Sequence, residues 1–216
     1  VKRRFVALAL TAPFLLGACG TDASTSTAST ASTASTASTA STASAGGETQ
    51  NVTSVAEITA GSTFNDTDVM FLQMLLDNQE QGQEMVQIAV DRAQRQDVID
   101  MAKAVDLTQA DEITMMKNWL TEWDKPARLD KRESLHADHG GLPSTGDDEI
   151  AALKKVKKVD FETAFLNLFL AHQHNAVEFA ALELDKGTNE QARAYAERVK
   201  ESRADQVQQM LKLLNG

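Results

Sequence analysis

Shifted by 94 residues, the chain lies on itself: positions 71–120 fall on 165–214 without a gap. Phe71 meets Phe165, Leu72 meets Leu166, Leu76 meets Leu170 and Gln79 meets Gln173. Glu84 meets Glu178, Asp91 meets Asp185, Ala102 meets Ala196 and Val105 meets Val199. Asp111, Met116 and Leu120 meet Asp205, Met210 and Leu214. About a dozen identities is a modest number; what constrains the fold is that the register holds throughout and the apolar positions coincide. Those positions recur at spacings of three and four, as in Met70, Phe71, Met74, Leu75, Asn78, Gly82 and Met85, the period of an amphipathic helix. A helical hairpin of this kind leaves one apolar face bare. Two copies are therefore expected to pack as a four-helix bundle with approximate two-fold symmetry.

Punctuation places the helices. Asn65 can cap a first helix over 66–94, with Asp68 at its third position and Phe64 stapling to Val69. Asp97 is expected to cap a second, 98–123, with Val98, Met101, Ala102, Val105, Glu112, Met116 and Trp119 on one face and Pro126 just past the end. Pro143 and Gly140-Gly141 make 124–146 a long loop, followed by a short helix over 148–158. Asp160 is expected to cap a third long helix, 161–186, closed by Gly187, and Thr188 or Asn189 a fourth, 190–214. Three Pro and 5% aromatic residues argue against a β-sandwich or barrel.

The first 62 residues are of another kind. Lys2, Arg3 and Arg4 precede an apolar run, Phe5 to Leu16, of signal-peptide length. The run ends in Leu16-Gly17-Ala18-Cys19, which resembles the lipobox of bacterial lipoproteins. That resemblance implies cleavage after residue 18, lipid on Cys19 and an extracytoplasmic protein anchored to the outer face of the cell membrane. From Ala23 to about Ser44 the chain is almost wholly Ala, Ser and Thr, in repeated Ala-Ser-Thr units with no apolar face, and residues 19–62 are expected to form a disordered tether. Extended, that tether would reach at most roughly 140 Å. The folded domain is expected over 63–216. The single Cys excludes a disulfide framework within the chain. The net charge of −10 argues against nucleic acid as a partner. Loss of residues 1–18 would leave 18 basic against 31 acidic residues, a net of −13.

Three segments carry a family resemblance. They are Phe64 to Phe71 (FNDTDVMF), Gln109 to Leu120 (QADEITMMKNWL) and Phe161 to Glu178 (FETAFLNLFLAHQHNAVE). Together they resemble the bacterial "domain of unknown function 305" family, which implies a ferritin-like bundle and copper-binding, CopM-like members. The chain departs from that pattern where metal is expected. The family's first His-His pair reads Asp77-Asn78-Gln79 here, and its second reads His172-Gln173, with His174 one place on. Its Gln-x-x-Glu-Ile-x-x-Met is present at Gln109, Glu112, Ile113 and Met116, but the second copy reads Arg203, Gln206, Val207 and Met210. A Met-containing loop motif is replaced by Leu142-Pro143-Ser144.

Two readings of the inner faces follow. His172, three, four and seven residues after Phe169, Leu168 and Phe165, faces the core, with Asn78 at the matching place in the first copy. In one reading His172 and Glu112, with Met116 or Met74, hold a metal. Copper suits imidazole and thioether; zinc or iron suits imidazole and carboxylate. In the other, Asn78, Gln109, Glu112, His172, Arg203 and Gln206 form a polar layer with no metal, the Arg203 guanidinium lying beside Glu112 where a cation would otherwise sit. His136 and His139 offer a separate weak zinc or copper site in the loop, or a solvated segment. Glu133-x-x-His136 mimics a di-iron motif but occurs once and outside the long helices. His174 and Glu178 are expected to pair at the surface. The seven Met residues, Trp119 and Trp123 read first as packing, and Gly82, aligned with Ala176, as a point of close helix approach.

No nucleophile triad, phosphate loop or dinucleotide signature stands out, so the chain is read as binding rather than catalysing. The first expectation is an extracytoplasmic, copper-handling lipoprotein; the alternative is a metal-free bundle acting as an envelope structural or protein-interaction module.

Overall fold

The computed structural model describes residues 58–132 and 145–216. Cys19, the signal segment and the tether as far as residue 57 lie outside the described residues, as do Glu133, His136, His139 and Leu142-Pro143-Ser144. The elements are α1 (Asp66–Arg92), α2 (Gln96–Glu122), α3 (Asp147–Lys155), a short 3-10 turn (Lys158–Asp160), α4 (Phe161–Lys186) and α5 (Glu190–Asn215). Among the described residues there is no strand.

Two antiparallel hairpins, α1–α2 and α4–α5, meet through α1 and α4. Asn65 lies against Lys186 at one end of that central pair, and Gln94 and Arg95 against Glu162 at the other, so α1 and α4 run antiparallel. The chain therefore makes one long crossing from α2 to α4, the connection of ferritin-like bundles.

The repeat survives in backbone detail. Ala93 and Gly187 close α1 and α4 with nearly the same dihedrals, φ −66° and ψ 152° against φ −68° and ψ 152°. Each hairpin turn is held by a carboxylate from the other hairpin. Glu162 Oε1 accepts from the amides of Gln94 and Arg95, both at 2.6 Å. Its equivalent, Asp68 Oδ1, accepts from Thr188 and Asn189 at 3.0 and 2.9 Å. The two turns differ in their local caps, and the first departs from expectation. α2 starts at Gln96 behind Arg95, with no side-chain cap, while Asp97 bonds Val98 and Arg95.

Local signals elsewhere act as the sequence suggests, with three adjustments. Asn65 and Asp68 form a reciprocal capping box, and Asn189 caps α5 through the Ala192 amide. Phe64, expected to staple to Val69, stacks on Trp123 at 4.5 Å. α3 ends at Lys155 because Arg92 takes the carbonyls of Leu153, Lys154 and Val156. Asp160 precedes α4 without a side-chain cap, since it already has helical dihedrals as the end of the 3-10 turn.

Residues 58–63, on the tether side of and across the expected boundary, lie against one end of the bundle. Trp119 Nε1 donates to the Ile58 carbonyl and Trp123 Nε1 to that of Gly61. Asn189 Nδ2 donates to Ala60 and Thr63, and the Ala60 amide donates to Glu122. Ala60 is fully buried. The tryptophans thus do more than pack: their indole N–H groups fasten this strap.

Beneath the strap the repeat has diverged as a coupled pair. Where the first hairpin has Ala89 and Ala93, the second has Glu183 and Gly187. A Cβ on Gly187 would overlap the Glu183 carboxyl, so glycine is required there by space rather than by dihedral. Burial pushes the Glu183 carboxyl up to about 9, assisted by its proton-sharing and repulsion with Asp68 and opposed by Arg193. Burial also acts on Asp68, but hydrogen bonds from Glu183, Asn65, Asn189 and Thr188 outweigh it and hold Asp68 below its usual range. A carboxyl whose folded pKa lies above its unfolded one stabilises fully below about 4.5 and progressively less as pH rises towards about 9. Thermal denaturation should show stability falling across that window by up to about 1.4 kcal/mol per pH unit. Glu183→Gln should remove that slope, and an unchanged slope would contradict the assignment. Gly187→Ala should cost about 2 kcal/mol, most of it recovered in Glu183→Ala/Gly187→Ala.

Candidate functional site

A polar layer crosses the middle of the bundle and divides its apolar core. On the strap side lies a cluster that includes Phe71, Leu75, Met115, Met116, Trp119 and Tyr195. On the far side lies another, with Met85, Val105, Phe161, Phe165 and Phe169. Asn78, Gln79, Gln109, His172, Gln173 and Arg203 lie between them with no exposed surface, and Glu112 and Gln206 are half-buried. Each comes from the inner face of a long helix, where the three-four spacing would otherwise place an apolar side chain.

The layer is built on the repeat. Gln79 Nε2 donates to Glu112 Oε2 at 2.6 Å, and the equivalent Gln173 Nε2 donates to Gln206 Oε1. Asn78 and His172 are equivalents of each other and touch, as residues beside a two-fold axis do. Asn78 Nδ2 donates to the His172 carbonyl at 3.3 Å and lies 3.5 Å from His172 Nδ1. His172 Nε2 lies 2.9 Å from the Asn78 carbonyl, an acceptor, so this nitrogen carries the proton. The His172 ring ends a stack that runs Phe161, Phe165, Phe169, His172 at centroid spacings of 6.2, 5.4 and 5.7 Å.

Gly82 makes the close approach possible. A Cβ there would lie 2.9 Å from Gln109 Oε1 and 3.2 Å from His172 Nε2. The expectation of close helix approach is met at a specific atom pair, since Gln109 and His172 fill the space that the side chain of Ala176 takes in the second copy.

One interaction breaks the symmetry. Arg203 stands where the first copy has Gln109, and its Nη2 donates to Glu112 Oε2. Arg203 is buried and Glu112 largely so, with side-chain exposures of 1% and 13%. Tyr195 closes the group by accepting from Gln79 at 3.2 Å; burial and then the Glu112 charge push its hydroxyl well above the usual range. Burial pushes His172 down to about 4, with the Asn78 hydrogen bond opposing and Arg203 reinforcing. His172 is therefore neutral at physiological pH. The stability it contributes is full above 6.5 and falls as pH drops towards about 4.

The candidate ligands do not converge. The ring nitrogens of His172 are taken up with Asn78, the Glu112 carboxylate faces Gln79 and Arg203, and Met116 belongs to the apolar cluster on the strap side. Among the described residues no group of three or more His, Cys, Asp or Glu is placed to hold a metal. His174 lies 3.8 Å from Glu178, both largely exposed, as a surface pair. Gln79, Gln173 and Tyr195 belong to the layer without having been singled out. The first two were visible as an identity of the repeat, whereas Tyr195 aligns with Met101 and carried no signal.

Residues 68–214 match the model of a family described as a domain of unknown function, DUF305. No curated protein matches the chain significantly. Among solved structures, the DUF305 protein of Streptomyces coelicolor is 25% identical, with a TM-score of 0.62 over 69% of this chain and 91% of that one. A DUF305 fragment from Deinococcus radiodurans is 20% identical, with a TM-score of 0.61 over 70% and 97%. CopM in its Cu(I)-bound form is 20% identical, with a TM-score of 0.57 over 70% and 97%.

The ion pair gives a direct test of the layer. Arg203→Met leaves Glu112 buried beside no cation and should cost about 3 kcal/mol in chemical denaturation. Arg203→Gln/Glu112→Gln, which makes the two copies alike at these positions, should recover most of it. A double variant no more stable than Arg203→Met would show that the guanidinium acts through packing instead.

Proposed function

Because the chain belongs to the DUF305 family, we propose that it is an envelope-tethered, non-catalytic member whose central layer is closed by its own cation. In this reading a lipid on Cys19 anchors the chain to the outer face of the cell membrane. The Ala/Ser/Thr segment gives it reach, and the bundle serves as a structural or protein-interaction module. The observation that carries the reading is the buried Arg203–Glu112 ion pair. Glu112 is the layer's one carboxylate, and a carboxylate already neutralised by a buried guanidinium has lost most of its attraction for a metal ion. The neutral His172, turned towards the backbone and amide of Asn78, supports the same conclusion.

Copper handling is the second reading. It draws on the fold shared with CopM, which is described in a Cu(I)-bound form. It also draws on Met74, Met115 and Met116, buried together in the strap-side core. Thioethers are suitable Cu(I) ligands, and in a core of this kind they are also ordinary space-filling groups. Here copper would be cargo to be bound or buffered.

Titration of the full chain with Cu(I), Cu(II) and Zn(II) separates the two. A closed layer should give no stoichiometric binding at micromolar protein, with binding appearing when Arg203→Gln is combined with Asn78→His. Stoichiometric Cu(I) binding by the parent, lost in Met74→Leu/Met116→Leu, would overturn the closed-layer reading in favour of copper handling. Binding lost only in His136→Ala/His139→Ala would also overturn it and assign the metal to the loop.

A further inference from the structure

The middle of the bundle holds more hydrogen-bonding capacity than the protein itself satisfies. Five side chains with no exposed surface, those of Asn78, Gln79, Gln109, Gln173 and Arg203, keep seven polar atoms without a protein partner. Native interiors leave only a few such atoms per hundred residues. Reorienting the Asn78 and Gln79 amides does not pair them. Asn78 Nδ2 is fixed by the His172 carbonyl and Gln79 Nε2 by the Glu112 carboxylate, both of which only accept. Both polar atoms of Gln109 are without a protein partner.

The unpartnered atoms are of both kinds. Arg203 Nε and Nη1 and Gln109 Nε2 donate, whereas Asn78 Oδ1, Gln79 Oε1, Gln109 Oε1 and Gln173 Oε1 accept. A metal ion would meet the oxygens but also three N–H-bearing nitrogens, two of them on the Arg203 guanidinium. An anion would meet those nitrogens but also four oxygens. The charge of Arg203 is already balanced by Glu112, and His172 is neutral, so no charged occupant is called for. Water both donates and accepts, and a buried water makes about three hydrogen bonds, so about two waters match this set.

We infer that the layer is a built water site, with about two ordered waters held among Arg203, Gln109 and the amide oxygens of Asn78, Gln79 and Gln173. One residue of the layer also reaches a surface groove. A groove of about 450 Å³ between α2 and α5 is lined by Met101, Val105, Thr108 and Gln206, among others. Gln206 is half-buried and accepts from Gln173, so it stands between the groove and the layer as the gate through which these waters exchange. The inference rests on the layer's own atoms and holds whether or not the chain binds metal.

Magnetisation transfer from water to side-chain N–H groups in the isotopically labelled full chain reads the site directly. Arg203 Nε–H and the Gln109 side-chain amide should both show direct cross-peaks to long-lived water. The absence of such peaks at both groups would overturn the proposal. Gln206→Ala should speed solvent exchange of Arg203 Nε–H by about tenfold, while Gln191→Ala, on the exposed face at the other end of α5, should leave it unchanged. Equal rates in Gln206→Ala and the parent, or equal acceleration by both variants, would overturn the assignment of the gate. Gln109→Leu serves as a second probe of occupancy: a folded variant with an unaltered Arg203 water cross-peak would contradict the proposed site.

Discussion

Burying a row of amides, an imidazole and an ion pair across an apolar core restricts how two helical hairpins can meet. Apolar contacts tolerate sliding and rotation at modest cost, but a buried donor facing no acceptor does not. Gln79–Glu112 and Gln173–Gln206 fix the register within each hairpin, and Asn78–His172 and Arg203–Glu112 fix it between them. The layer therefore specifies the register of the bundle, while the two apolar clusters on either side of it supply most of the driving force. At the two ends, Asp68 and Glu162 repeat the device on a smaller scale by tying each hairpin turn to the opposite hairpin.

At three buried places the two copies differ by coupled pairs of residues. A carboxylate at 112 is answered by a guanidinium at 203, where the repeat would otherwise bring a second glutamine. The glutamate at 183 is answered by glycine at 187, where the other copy holds two alanines. Gly82 admits Gln109 and His172, while Ala176 fills the same place in the second copy. In each case one large or charged group has entered a buried position, and a spatial neighbour has changed to accommodate it. Such pairs resist single substitution more than double substitution, because half of the change leaves either an overlap or an uncompensated charge.

Much of the fold was legible in the sequence because it rests on local, periodic signals. The three-four spacing, the Asn65 and Asn189 caps and the ungapped 94-residue register place the helices and pair them. The proximity of Arg203 to Glu112 also followed from the repeat, since both lie one turn along inner faces that must meet. The signals that misled were local rules overridden from a distance. Asp97 is a good cap by composition, yet it lies inside the first turn of α2, and the turn before it is held by Glu162, a contact that spans 67 residues. Likewise, spacing could bring His172 and Glu112 to one level of the bundle. It could not show that the His172 ring turns to the Asn78 backbone while Glu112 turns to Arg203, because side-chain direction within a layer depends on all its members.

The strap at 58–63 has a mechanical consequence. Residues 58–63 lead directly into α1, so any tension transmitted to Ile58 meets the strap before it meets that helix. The bonds from Trp119, Trp123 and Asn189 belong to α2 and to the start of α5, not to α1, which continues the chain. A pull from that side is therefore divided between both hairpins before it can peel the first turn of α1. The segment acts as a strain relief, in the way that a clamp on a cable protects the joint behind it.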